Sequence, residues 1–187
     1  MSVDSVSLRA RAFCIFGTIV FAVFAVVGCS TPSQPAAMAA PVVRVSTKHA
    51  RTVSLRVTGG SETSAVHRSQ ISNEDLSEAV RQSVTQSELF SGVVQEGTAS
   101  DYRLEAFIAR LSQPTMGGSL QVTLEISWKL IRVANNSVVW EKAITSNYKT
   151  TAMEAFAFVK RLRLANEAAS RANISDAISQ IGAITLP

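Results

Sequence analysis

Cysteine is nearly absent. Cys14 and Cys29 are the only two, and nothing beyond Cys29 could form a disulfide within residues 30–187, whatever the redox compartment. No Gly-x-Ser-x-Gly elbow is present to carry a Ser/His/Asp site. No His-Glu-x-x-His or similar His/Cys/acid spacing is present to hold zinc. The two histidines, His49 and His67, fall in stretches expected to be exposed loops, a setting that suits neither catalyst nor ligand. Neither glycine pair, Gly59-Gly60 or Gly117-Gly118, is followed by the lysine and helix start of a phosphate-binding loop. Charged residues make up only 17% of the chain, and their mild positive excess is spread too thinly for a nucleic-acid footprint. There is no internal repeat. These absences lead us to expect a protein without catalytic residues, metal or cofactor.

What the chain does have begins with an apolar run, Ala12–Val27, behind Arg9 and Arg11 and ending at Val26-Val27-Gly28-Cys29. The run falls short of the ~20 residues that span a bilayer. It also lacks the polar face of a core helix. A short positive n-region, an apolar h-region and small residues at a cut site describe a secretory signal. The last four residues resemble the bacterial lipobox, although Val26 stands where leucine is commoner. That resemblance implies a signal peptide over residues 1–28, diacylglycerol on the Cys29 thiol, palmitate-class acylation and membrane anchoring at residue 29. An uncleaved N-terminal anchor is the alternative, disfavoured by the short span. Removing the leader takes Arg9, Arg11 and Asp4 with it, so the formal charge falls from +4 to +3. Ser30 resembles the residue of outer-membrane lipoproteins, where aspartate would mark inner-membrane retention, so the expected location is the periplasmic side of the outer membrane.

Residues 29–41 then carry three prolines among small residues, the composition of a tether. A single domain is expected over residues 42–187. Val53, Leu55 and Val57 alternate up to Gly59-Gly60, which reads as a strand leading into a loop. Ser72 and Asp75 sit at capping-box spacing, and Ile71 and Leu76 at staple spacing, so a helix is expected to follow. Its apolar stripe is Leu76, Ala79, Val80, Ser83, Val84 and Ser87, with Gly92 closing it.

Tyr102, Leu104, Ala106 and Ile108 mark the next strand. The clearest alternation of the chain follows, with Leu120, Val122, Leu124, Ile126, Trp128 and Leu130 on one face. Val138, Trp140 and Ile144 continue the even parity across Asn135-Asn136. That parity requires an odd-length loop or a bulge, and predicts a three-residue loop with an asparagine in the left-handed conformation. Both tryptophans are therefore expected in the core. The last third is helical from a second capping box, Thr151 and Glu154. Phe158, Leu162, Ala165, Ala169 and Ala172 lie on one side, with Phe156, Ile174, Ile178 and Ile181 nearly opposite. Either one long helix is covered on two sides, or it breaks near Asn173.

The fold expected from this order is α+β: a two-layer sandwich, β-α-β-β-β-α, with a mainly antiparallel four-stranded sheet and both helices on one face. A small lipidated domain of this order resembles the accessory lipoproteins of envelope transport, namely the lipopolysaccharide-assembly lipoprotein and the auxiliary lipoproteins of ABC-type transport systems. The stretches "ASDYRLEAFIARLSQP", "SWKLIRVANNSVVWEKAI" and "RLRLANEAASRANISDAI" are similar to uncharacterised proteobacterial lipoproteins. That likeness carries no catalytic motif and implies no known activity; the function expected first is a non-enzymatic adaptor for a membrane transport or assembly complex, ahead of a hydrolase with an unmarked site. The competing reading is an activator of a periplasmic enzyme such as a peptidoglycan synthase. Reach separates the two, because a free Ser30–Pro41 tether extends only about 40 Å. One dense charge cluster remains: Lys160, Arg161, Arg163 and Arg171 on the last helix. It is either a solvated face or a contact for anionic lipid, lipopolysaccharide or an acidic envelope partner.

Overall fold

The computed structural model describes residues 31–63, 68–115 and 119–187; Cys29, His67 and Gly117-Gly118 lie outside them. Strand β1 (His49–Thr58) follows a short helix α1 (Pro35–Met38), and helix α2 (Asn73–Gln86) follows β1. Strands β2 (Phe90–Val94), β3 (Tyr102–Ser112), β4 (Leu120–Arg132) and β5 (Ser137–Thr150) come next, and helix α3 (Phe158–Ile181) closes the chain. The sheet order is β2-β1-β3-β4-β5.

The α+β class holds, but the expected four-stranded, mainly antiparallel sheet is corrected to five mixed strands. Strand β1 runs parallel to both its neighbours, while β3, β4 and β5 form an antiparallel meander. Helix α2 begins as its sequence requires, with the Ser72 hydroxyl accepting from the Asp75 amide at 3.0 Å. It does not run on to Gly92. It stops at Gln86, and Glu88 turns the chain with φ 50°. Residues 90–94 then return beside β1 as a parallel strand, the pairing a crossover connection produces. Residues 95–101 pass from β2 to β3 across β1, held by the Arg56–Glu96 ion pair at 2.8 Å.

Parity is obeyed on the strands that carry the core. Tyr102, Leu104, Ala106 and Ile108 on β3 and all six even-numbered apolar residues of β4 are buried. At the β4–β5 turn the chain takes the bulge. Arg132 pairs with Ser137 and Ile131 with Val138, the register shifts, and beyond it Leu130 pairs with Trp140 and Ile126 with Ile144. Residues 133–136 form the loop, with Asn136 left-handed at φ 52°. The expected asparagine conformation is present, but the loop is longer than three residues because the bulge restores the parity. Val138 is consequently exposed, and Trp140 is half-buried rather than a core residue. At the other end of β1, Gly59 sits at φ +83° with Ile108 O only 2.6 Å from where a Cβ would stand, so the strand-to-loop exit admits only glycine without a shift.

Helix α3 is continuous through Asn173. One side faces β4 and β5, and α1 and α2 pack on it from elsewhere, which resolves the two apolar faces in favour of a helix covered on two sides. Asn173 does not cap a new turn. Its Oδ1 accepts from Trp128 Nε1 at 2.8 Å, and its Nδ2 donates to Ile144 O at 2.8 Å. The capping box at Thr151 is also corrected. Glu154 Oε1 accepts from the Thr151 amide at 3.1 Å, yet the helix starts only at Phe158. Phe156 is therefore a loop residue and fully exposed, not part of a buried helix face.

Candidate functional site

The stretch with tether composition is packed into the domain. Ser33, Met38 and Ala40 are buried. Pro35 opens α1 at a position where its missing amide donor costs nothing. From Thr31 onward the chain lies along α3 and then reaches α2. Arg163 Nη1 donates to Thr31 Oγ1 at 3.4 Å, the Gln34 amide donates to Glu167 Oε1 at 3.0 Å, and Arg171 Nε donates to Ala37 O at 3.1 Å. On α2, Ser83 Oγ accepts from the Ala40 amide at 2.9 Å and Ser87 Oγ from the Val43 amide at 3.2 Å. Proline and alanine gave these residues the look of a spacer. Backbone donors aimed at helix side chains make them part of the fold.

This arrangement redistributes the basic cluster. Arg163 and Arg171 hold the N-terminal segment, and Arg163 also approaches the buried Glu167 carboxylate at 3.6 Å. Arg161 is 8% exposed, and its backbone carbonyl accepts from Thr150 Oγ1 at 3.4 Å. Lys160 is exposed, as is Arg171. The four residues do not form one open cationic face; three of them are structural on at least one side. Cys29, two positions before Thr31, lies outside the described residues.

His49 corrects the loop expectation. It opens β1, is buried, and its Nε2 lies 3.1 Å from Ile181 O with its ring against Phe90. Packing against the end of α3 accounts for it. Among the described residues no three His, Cys, Asp or Glu side chains converge as a metal site would need. The carboxylates with depressed pKa values have structural causes. Asp101 is lowered by the Thr52 amide and hydroxyl and by Arg51, Glu88 by Lys48, and Glu78 by Arg81 and Gln82. On the sheet face away from the helices, a groove of about 510 Å³ is lined by Arg56, Glu105, Phe107, Lys129 and Glu141. Its charges are already satisfied in part by Lys129–Glu141 at 3.1 Å. Among the described residues no helix is long and apolar enough to cross a membrane.

One further feature went unread in the sequence. Between β5 and α3, residues 151–157 expose Met153 (97%) and Phe156 (98%), more than any other large apolar side chain among the described residues. The periodicity that seemed to carry Phe156 into the helix hid this loop.

No family model matches the chain, and no curated protein is a significant match. Solved structures share the fold. Protein XCC0632 from Xanthomonas campestris, of the DUF330 family, superposes with a TM-score of 0.56 at 14% identity, covering 81% of this chain and 91% of its own. The PelC dodecamer from Paraburkholderia phytofirmans gives 0.50 at 13% identity, covering 79% and 95%. Lipoprotein B from Nitrosomonas europaea gives 0.49 at 9% identity, covering 74% and 86%. At these identities the likeness is one of fold: the chain is built on the same α+β plan as the first two.

Proposed function

We propose that this chain is a non-enzymatic, lipid-anchored accessory protein of the bacterial envelope, carried on the periplasmic side of the outer membrane. It acts there as an adaptor for a transport or assembly complex. The observation that supports this reading is the short distance between anchor and fold. Two positions separate Cys29 from Thr31, where the packed segment begins, so the free link extends about 7 Å instead of the 40 Å of an open tether. A domain held so close works on what lies at its own membrane. The same geometry disfavours the activator reading, because a synthase partner across the periplasm would need reach that a packed N-terminus does not provide.

The anchor is tested by Cys29→Ala. Lipid labelling is expected to vanish and an uncleaved, longer precursor to accumulate; a variant still processed and still labelled would refute the lipobox reading. The adaptor role is tested by in-cell crosslinking with mass spectrometry. Crosslinks are expected to an integral component of a transport or assembly machine in the same membrane, and crosslinks confined to a soluble periplasmic enzyme would refute it.

A further inference from the structure

We propose that the loop between β5 and α3, residues 151–157, is a membrane-docking loop that seats Met153 and Phe156 in the interfacial layer of the leaflet holding Cys29. The inference rests on lipidation at Cys29. Three independent features converge on one end of the domain. First, the chain leaves toward Cys29 from Thr31, which Arg163 binds, and Arg163 lies only about 8 Å along the helix axis from the start of α3 at Phe158. Thr31 and the loop therefore sit at the same end of α3, and only two positions of chain separate Thr31 from Cys29. Second, the loop is shaped to present its apolar residues outward. Ala155 is buried and pins its middle, Glu154 Oε1 accepts from the Thr151 amide, and Thr150 Oγ1 donates to Arg161 O where strand and helix converge. Met153 and Phe156 project from either side of that pinned alanine. Third, exposed Lys149 and Lys160 flank the loop. Glu154 is its one acidic side chain, so the surroundings favour an anionic surface.

A bilayer satisfies all three features at once. An exposed Phe and Met, flanked by lysines, match the chemistry of interfacial insertion, in which apolar groups enter the boundary layer and cations meet headgroup phosphates. Lipid also explains why the most exposed large apolar residues stand at the anchored end, while the opposite end of the 14-residue β5 presents the polar Asn135-Asn136-Ser137 turn beside the less exposed Val133 and Val138. Docking would fix the tilt of the domain and so decide which face meets a partner in the membrane.

The test uses the full chain, expressed in a proteobacterium with Cys14→Ser, purified from membranes and reconstituted into vesicles of phosphatidylethanolamine and phosphatidylglycerol. Phe156→Cys or Val138→Cys carries an environment-sensitive nitrobenzoxadiazole dye, and lipidation at Cys29 is read by intact mass. Doxyl groups placed shallow in the lipid are expected to quench the dye at 156 several-fold more than at 138, with part of the difference lost on adding Lys160→Gln or raising salt. Equal quenching at 156 and 138 in lipidated protein overturns the docking loop and leaves the anchor standing. A dye at 156 that is shielded yet insensitive to doxyl lipid overturns it in favour of a protein covering the loop. Quenching in protein whose mass shows no lipid, with peptide mapping placing the dye at 156 and not on the free Cys29 thiol, upholds the loop's membrane contact and refutes the anchor. Absence of both lipid and quenching removes the two together.

Discussion

The contact between Trp128 and Asn173 is where sheet and helix are locked in register, and its removal can be predicted quantitatively. Trp128 is 1% exposed in the centre of β4, opposite Ala106 of β3. Trp128→Ser empties that site, and large-to-small changes of this kind cost about 3–5 kcal/mol. Trp128→Phe keeps most of the ring but removes the Nε1 donor to Asn173 Oδ1, an acceptor that is itself fully buried. Leaving such a group unmet costs about 1–3 kcal/mol, so the phenylalanine variant should fall between wild type and serine. Asn173→Ala removes the same hydrogen bond together with the one to Ile144 O. In a double-mutant cycle with Trp128→Phe the two losses should therefore be less than additive, by roughly 1 kcal/mol. Lys129→Ser, one position along and on the open face, breaks only an exposed ion pair with Glu141, worth about 0–1 kcal/mol. Urea melts followed by far-ultraviolet circular dichroism read the four single variants and the double variant without relying on tryptophan emission. Additive losses in the cycle, or a Lys129→Ser cost equal to that of Trp128→Ser, would refute the assignment of faces and of the Trp128–Asn173 bond.

Strand β4 was legible in the sequence because six alternations leave no other periodicity, and α2 because Ser72, Asp75 and Leu76 state its start in local chemistry. Strand β2 was not. Phe90–Val94 is short, contains Gly92, and follows a helix whose end is set by Glu88 adopting φ 50°, a conformation that glutamate does not advertise. Missing that strand also hid the parallel pairing of β1. The packing of the N-terminal segment was illegible for a different reason. Its prolines and alanines have tether composition, and what packs it is long-range: Ser83, Ser87, Glu167 and Arg171 lie far along the chain. The surroundings of the basic cluster were equally illegible, since charge density in sequence does not reveal that Arg161 is buried and that Arg163 binds Thr31. Asn173 showed the limit most clearly. An asparagine within a helical stretch has two common uses, cap or buried partner, and only the position of Trp128 decides between them.

Three further outcomes follow from particular contacts. Asp101 holds the start of β3 to Thr52, and its pKa is depressed below the ordinary 3.8 by the Thr52 amide and hydroxyl and by Arg51. A depressed folded-state pKa gives stability that is present above the unfolded value and lost as pH falls through the folded one. Asp101→Asn should therefore be less stable than wild type at neutral pH and converge with it below pH 3.8. Melting curves that stay equally separated down to the acid end would refute that assignment. Arg163→Gln strips the cationic partner from the buried Glu167 carboxylate, leaving it the Gln34 amide, and removes the donor to Thr31. Faster proteolysis at residues 31–40 is expected, whereas Lys160→Gln, altering a solvated side chain, should leave the cleavage pattern unchanged. Met38→Ser decides whether the N-terminal segment belongs to the fold. In a tether the substitution would be neutral, because a spacer residue touches nothing whose loss could be measured. In this structure Met38 is completely buried between α1 and the rest of the core, and replacing a buried methionine by a small residue costs about 2–5 kcal/mol. Serine also brings a hydroxyl into a site lined by apolar groups, which pushes the cost toward the upper end. Urea midpoints unchanged by Met38→Ser would return residues 31–40 to the status of a linker and remove the short link on which the proposed function rests.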